Sequence, residues 1–372
     1  MKIPREEYTL ESFLQYLTDH IGELFAPEER KWLKVYLIFV QVDFDWIKLF
    51  SEFKPERFGQ FVRIPIGTES SNVDFYAYEF KPGLLMFFTS STEEDYERSL
   101  KRFIDSTRGI TEMWIPPARF EEAKMHILSK YDGEIYKFIG RRTAITKIPA
   151  KMRPEYQRRI SYSGLDAQET LKEVQETYGV LPISIEFVVG QDKFKITNDG
   201  LFVLRTINPR TLQIMLDVVG IILHKQLHIE KMAQRVSANI QLIQIGEREF
   251  RIPEIVAAKI TLKTQALNAV LVERIFGERE DIVEDDVLPD QRPWSDDFSF
   301  VDKTVLEGSL SFSGTVIDEY KGTIFGLSGG ENEILLIPKH HTTFESFVRF
   351  YRMIVEKIDD EAELSLLSEE IV

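Results

Sequence analysis

Apolar residues recur at helical spacing from the start of the chain. Leu10, Phe13, Leu14, Leu17, Ile21, Leu24 and Phe25 fall every three or four positions within residues 5–31. The spacing predicts a polar-faced helix or pair of helices ended by Pro27. Residues 34–44 are rich in Val, Ile, Tyr and Phe with little alternation, as in a mostly buried strand, and a short helix is expected over residues 46–53. Further along, a helix is predicted over residues 167–178. Another starts at Pro209, where Leu212, Ile214, Met215, Leu216, Val218, Val219, Ile221, Ile222 and Leu223 leave little room for a polar face, with Asp217 the exposed or hydrogen-bonded exception.

Three times a turn leads into a short apolar strand and then a capped helix. Gly83 precedes Leu84 to Phe88, and Ser91 with Glu94 has the capping-box pattern ahead of Tyr96, Leu100, Phe103 and Ile104. Asn198-Asp199-Gly200 is a hairpin signal before Leu201 to Leu204, followed by Asn208 as cap and Pro209 as first helical residue. Ser328-Gly329-Gly330 precedes Ile334 to Ile337, with Thr342 and Glu345 as the third capping box. A ββα unit cannot bury its own sheet face, so the fold class is α+β, antiparallel sheets covered by helices; the three units are either a threefold ββα repeat or the common succession of hairpin and capped helix, and they support the fold class more than a shared ancestry.

At 372 residues the chain exceeds what one core usually organises. The expected division is an N-terminal α+β domain at 1–150, a middle α+β region at 151–277, an acidic linker at 278–297 and a C-terminal sheet-plus-helix unit at 298–372. The linker is assigned because nine carboxylates and two prolines in that stretch cannot bury enough apolar surface to pack. The absence of cysteine excludes disulfides, thiolate zinc sites, iron–sulfur clusters and cysteine nucleophiles, and it fits a reducing compartment. The N-terminus shows no secretory pattern, and the most apolar run, residues 212–223, is far short of the roughly 20 needed to span a bilayer. A cytoplasmic protein without membrane contact is expected.

The formal charge of −15 excludes a uniformly basic polyanion binder, so any such contact must be local. Residues 137–162 supply one. Lys137, Arg141, Arg142, Lys147, Lys151, Arg153, Arg158 and Arg159 stand against Glu155 alone, eight minus one or +7, leaving −22 elsewhere. Phosphate backbones recruit such clusters because neutralising cations release condensed counterions, and Tyr136, Tyr156 and Tyr162 could stack on bases. The alternative is that these cations pair with acidic segments of the chain or of a partner protein.

Other candidates are weaker. Gly326 to Gly330 fits G-x-S-x-G, but an apolar strand rather than a helix follows Ser328, so a glycine-rich turn is expected. His224 and His228 share a helix face without a third ligand, and His340-His341 read as turn residues. Glu186, Asp192, Lys193 and Lys195 lie along one hairpin, with Lys193 and Lys195 on one face and Asp192 on the other, as exposed strand polarity. Glu284-Asp285-Asp286 with Asp290 lacks EF-hand spacing. No phosphate loop, dinucleotide fingerprint or HExxH occurs, so no cofactor or metal is expected. The resulting expectation is a non-enzymatic nucleic-acid-binding or nucleic-acid-processing accessory protein. The alternative is an assembly component that binds proteins only, and an enzyme with a dispersed site stands third.

Overall fold

The computed structural model describes residues 3–20, 23, 32–42, 45–67, 72–142, 151–152, 158–245, 248–264, 266–276, 298–306, 310–339 and 342–367. The fold is α+β, and the chain divides into two compact units. The first comprises Met1–Gly140, Ile160–Glu173 and Leu181–His224; the second comprises Arg141–Arg159, Val174–Val180 and Lys225–Val372. The expected boundary at 150 and the acidic stretch 278–297 lie outside the described residues. Among the described residues no helix is long and apolar enough to cross a membrane.

In the first unit α1 (Leu10–Asp19) is closed by a reciprocal capping box between Thr9 and Ser12, and it buries Phe13, Leu14 and Leu17. The strand β1 (Leu33–Val40) is buried at all eight positions, which is why its sequence runs apolar rather than alternating. After it come α2 (Trp46–Leu49) and a 3-10 turn (Ser51–Phe53), together covering the single short helix expected there. A meander follows: β2 (Glu56–Phe58), β3 (Phe61–Gly67), β4 (Asn72–Lys81) and β5 (Leu84–Thr89). The next helical segment passes from α3 (Glu93–Tyr96) through a π turn (Glu97–Lys101) into α4 (Arg102–Ser106). Its capping box is Thr92 with Asp95, one residue beyond the Ser91–Glu94 pair that the sequence suggested.

The strand β6 (Ile110–Glu112) and α5 (Pro117–Lys130) lead to β7 (Glu134–Arg142), β8 (Arg158–Ser163) and α6 (Ala167–Tyr178). Then come β9 (Leu181–Val189), β10 (Asp192–Thr197), β11 (Leu201–Leu204) and α7 (Pro209–Arg235). The strands form one sheet in the order β2-β3-β4-β5-β1-β11-β10-β9-β7-β8, with β6 also on β1. Residues 33–36 of β1 pair with β11, and residues 38–40 pair with β6. Residues 181–204, which the sequence placed in a middle region, thus join the sheet at its centre. Leu212, Ile214, Met215, Val218, Val219 and Ile222 of α7 are buried, and Asp217 is the half-buried polar exception.

The second unit holds the hairpin β12 (Ser237–Ile245) and β13 (Arg248–Val256), then β14 (Ala258–Thr261) and α8 (Ala269–Phe276). The meander β15 (Phe298–Leu306), β16 (Ser311–Asp318), β17 (Thr323–Gly329) and β18 (Glu333–Pro338) precedes α9 (Phe344–Lys357) and β19 (Glu363–Leu366). The six-stranded order is β15-β16-β17-β18-β14-β19. Its core is aromatic, with Phe298, Phe325 and Phe347 packed around Phe350 or one another. The α9 N-cap is Thr343; the expected cap, Thr342, instead bonds to the Ile324 carbonyl at 2.6 Å.

Each of the three expected hairpins is followed by a helix, but the topology does not establish a threefold repeat. The first and third hairpins share a longer path: an opening strand, a helix, a four-strand meander, a helix and a short closing strand. In both, the opening strand lies between the meander's last strand and the closing strand. The middle hairpin, β10–β11, lacks those surroundings and pairs with β1 instead.

Candidate functional site

The basic stretch divides by strand alternation. Among the cations of β7 and β8, Arg142 is buried, and its guanidinium donates to the Tyr178 carbonyl at 3.1 Å. The Arg158 guanidinium stacks on the Tyr178 ring at 4.6 Å. Lys151 reaches Glu176 at 3.6 Å, and the Met152 amide donates to the Thr177 carbonyl. All four groups converge on the C-terminus of α6, where cations and donors meet orphan carbonyls and the negative end of the helix dipole.

Because Arg142 and Arg158 both meet Tyr178, their strand neighbours Arg141 and Arg159 emerge on the opposite face. Lys137 has the same strand parity as Arg141. Lys137, Arg141 and Arg159 are exposed, and among the described residues none of them forms an ion pair. Lys147 and Arg153 lie outside the described residues.

The hairpin β9–β10 is richer than exposed strand polarity. Asp192 is on one face, buried and bonded to the Asn208 side chain at 2.7 Å. On the other face a polar row crosses the sheet in register: Thr89, Lys34, Val203, Lys195, Glu186. Glu186 is 4% exposed and ion-paired with Arg205 at 2.9 Å, and Arg205 stacks on Trp32 at 4.4 Å. Lys195 pairs with Glu93 at 3.0 Å. Lys34 is 7% exposed; its ammonium donates to the Ser91 carbonyl and, among the described residues, forms no ion pair.

Burial lowers the Lys34 pKa; the charges of Glu93 and Asp95 oppose this and Lys195 adds to it. Two residues along β1, Tyr36 stacks flat on Tyr96 with centroids 3.7 Å apart, and its buried hydroxyl has no hydrogen-bond partner. Tyr96 donates to Glu112 at 2.6 Å, and Lys101 holds the same carboxylate at 2.6 Å. Burial raises the Tyr36 and Tyr96 pKa values, so both stay neutral.

Sequence reasoning singled out Glu186 and Lys195 of this row as exposed strand polarity and missed Lys34 and Tyr36. Their local signal was a lysine and a tyrosine two apart in an otherwise apolar strand, Leu33-Lys34-Val35-Tyr36-Leu37. Elsewhere Ser328 lies within β17 and a second strand follows it, which is not a nucleophile elbow. Of the histidines singled out from sequence, His340 and His341 lie outside the described residues. Among the described residues no group of three or more His, Asp or Glu could hold a metal.

Residues 118–199 match the family model AF_0896_M, described as a family middle domain. The match begins in α5 and ends after β10, so it contains the basic stretch. A protein of Archaeoglobus fulgidus described as uncharacterized is 23% identical over 290 residues, covering 75% of this chain and 74% of its own length. No solved structure matches the chain.

Proposed function

We propose that the protein is a non-enzymatic nucleic-acid-binding accessory protein that contacts phosphates through the exposed cations of β7 and β8, at one end of the sheet. One observation carries the reading: Lys137, Arg141 and Arg159 are exposed cations on β7 and β8, free of ion pairs among the described residues, in a chain of charge −15. Segregated cations on an acidic body attract a polyanion locally while the remainder repels it. The contact is narrower than the eight basic residues of the stretch, because Arg142, Lys151 and Arg158 serve the end of α6.

The magnitude follows from the count. The three described cations, at one phosphate each, give a slope of log affinity against log salt of about −2.7 on duplex DNA and about −2 on single strands. Fluorescence anisotropy of labelled oligonucleotides across a salt series measures it. The triple variant Lys137→Glu, Arg141→Glu, Arg159→Glu is expected to abolish binding with an unchanged thermal midpoint, since exposed charges contribute little to stability. Wild-type protein that binds no nucleic acid at low salt would refute the reading and leave the protein-interaction alternative in its place.

A further inference from the structure

We propose that Lys34, Lys195 and the Tyr36 hydroxyl form a binding site for a single phosphate group, with the Glu93 carboxylate occupying that position in the unliganded protein. The inference is independent of the nucleic-acid reading, because it concerns residues of β1 and β10 rather than the cations of β7 and β8. Its starting point is the hydrogen-bond capacity of Lys34. An ammonium carries three donors, and this one has only the Ser91 carbonyl among the described residues while being 7% exposed. A buried cation without a counterion is costly, and so is a buried hydroxyl without a partner; Tyr36 supplies the latter on the same face of the same strand.

The register brings a second cation within reach. Lys34 and Lys195 both pair with Val203, so two strand spacings, about 9.5 Å, separate their backbones, and lysine side chains can close that gap. Glu93 already shows that an anion is held there: it bonds to Lys195 at 3.0 Å, and its charge acts on Lys34. Its side chain is 61% exposed, so it can swing out without disturbing the core.

Lys34 and Lys195 face the charges of Glu93 and Asp95, so once Glu93 swings out two ammonium groups stand against Asp95 and leave an excess positive charge beside a desolvated face. A phosphate monoester or inorganic phosphate, with charge of about −1.5 to −2 at neutral pH and several strong acceptor oxygens, meets that excess better than a carboxylate does. Thr89 reinforces the frame by fixing the Ser91 loop: its hydroxyl accepts from the Ser91 amide at 3.2 Å.

The test is calorimetric titration of the full chain with sodium phosphate against sodium chloride at matched ionic strength. Saturable binding of one phosphate is expected, weakened at least about tenfold in Lys34→Met and in Lys195→Met, and strengthened in Glu93→Gln, where the competing carboxylate is gone. Lys195 is partly exposed, so its variant decides the matter if Lys34→Met does not fold.

A 5′-phosphorylated oligonucleotide that binds more tightly than its 5′-hydroxyl form, with the advantage lost in Lys195→Met, supports the site and assigns the phosphate to a nucleic-acid end. Saturable phosphate binding without that advantage supports the site with the free ion as ligand. No saturable binding in either wild type or Glu93→Gln, or Lys195→Met titrating as wild type does, overturns the proposal.

Discussion

Asp359 offers the sharpest test of how the second unit is held together. Fully buried just beyond α9, its carboxylate accepts from the Lys263 amide at 2.6 Å, the Thr264 amide at 2.7 Å, the Thr264 hydroxyl and the Glu361 amide at 3.1 Å. The first three partners lie 95 or 96 residues away, so one side chain ties the segment after β14 to the end of the closing helix. Hydrogen bonds to a charged group contribute about 1.5–3 kcal/mol each, so the two short backbone bonds alone imply a loss of about 3–6 kcal/mol in Asp359→Ala. Asp359→Asn, which keeps one acceptor oxygen, is expected to lose less.

Burial pushes the Asp359 pKa up, but hydrogen bonds from Thr264, Glu361 and Lys263 outweigh it and leave the value lowered. A carboxyl depressed in the folded state contributes stability that is present above its unfolded pKa and is lost as pH falls through the folded one. Urea titration following the second unit, at neutral pH and near pH ~3, measures both effects. An Asp359→Ala loss below about 1 kcal/mol, or a variant whose deficit is undiminished in acid, would refute the reasoning.

Val219 is fully buried on α7, so Val219→Asp is expected to destabilise the first unit by ~3–5 kcal/mol, read by thermal melting, through an uncompensated buried charge. Asp217, on the same helix, is held down to about 2 by hydrogen bonds from Lys130 and Tyr131 against the upward push of burial, with Gln213 a further donor at 2.7 Å. Its contribution is therefore present above the ordinary aspartate pKa and disappears as pH falls toward about 2, so the gap in stability between wild type and Asp217→Asn should shrink over that window. Gly200 sits at φ +75° in the β10–β11 turn, where an added Cβ meets the Met113 Cβ at 3.0 Å. Gly200→Ala should cost at least about 1–2 kcal/mol by chemical denaturation, since both the left-handed backbone and the contact oppose it.

The local elements were legible wherever one short-range cause decided them. The spacing of Phe13, Leu14 and Leu17 sets the buried stripe of α1, Asn208 caps α7 through the Thr211 amide at 2.9 Å, and the Asn198-Asp199-Gly200 turn joins β10 to β11. The α+β class followed from these. Cap positions drifted by one residue where hydroxyls stood side by side: Thr92 caps rather than Ser91, and Thr343 takes the N-cap position rather than Thr342, without a capping bond from its side chain. Neighbouring hydroxyls have similar intrinsic capping ability, and the backbone path chooses between them.

Only the tertiary structure decided strand order and the fate of the charges. Nothing local tells β11 to pair with β1, far earlier in the chain, because apolar strands of similar composition are interchangeable until a whole sheet fixes their neighbours. The basic stretch looked uniform in sequence, yet alternation on β7 and β8 turns Arg142 and Arg158 toward the end of α6 and leaves Lys137, Arg141 and Arg159 in solvent. Lys34 and Lys195 became neighbours for the same reason: residues so distant in sequence share a site only when β1, β11 and β10 align in register, and register is a property of the assembled sheet rather than of any one strand.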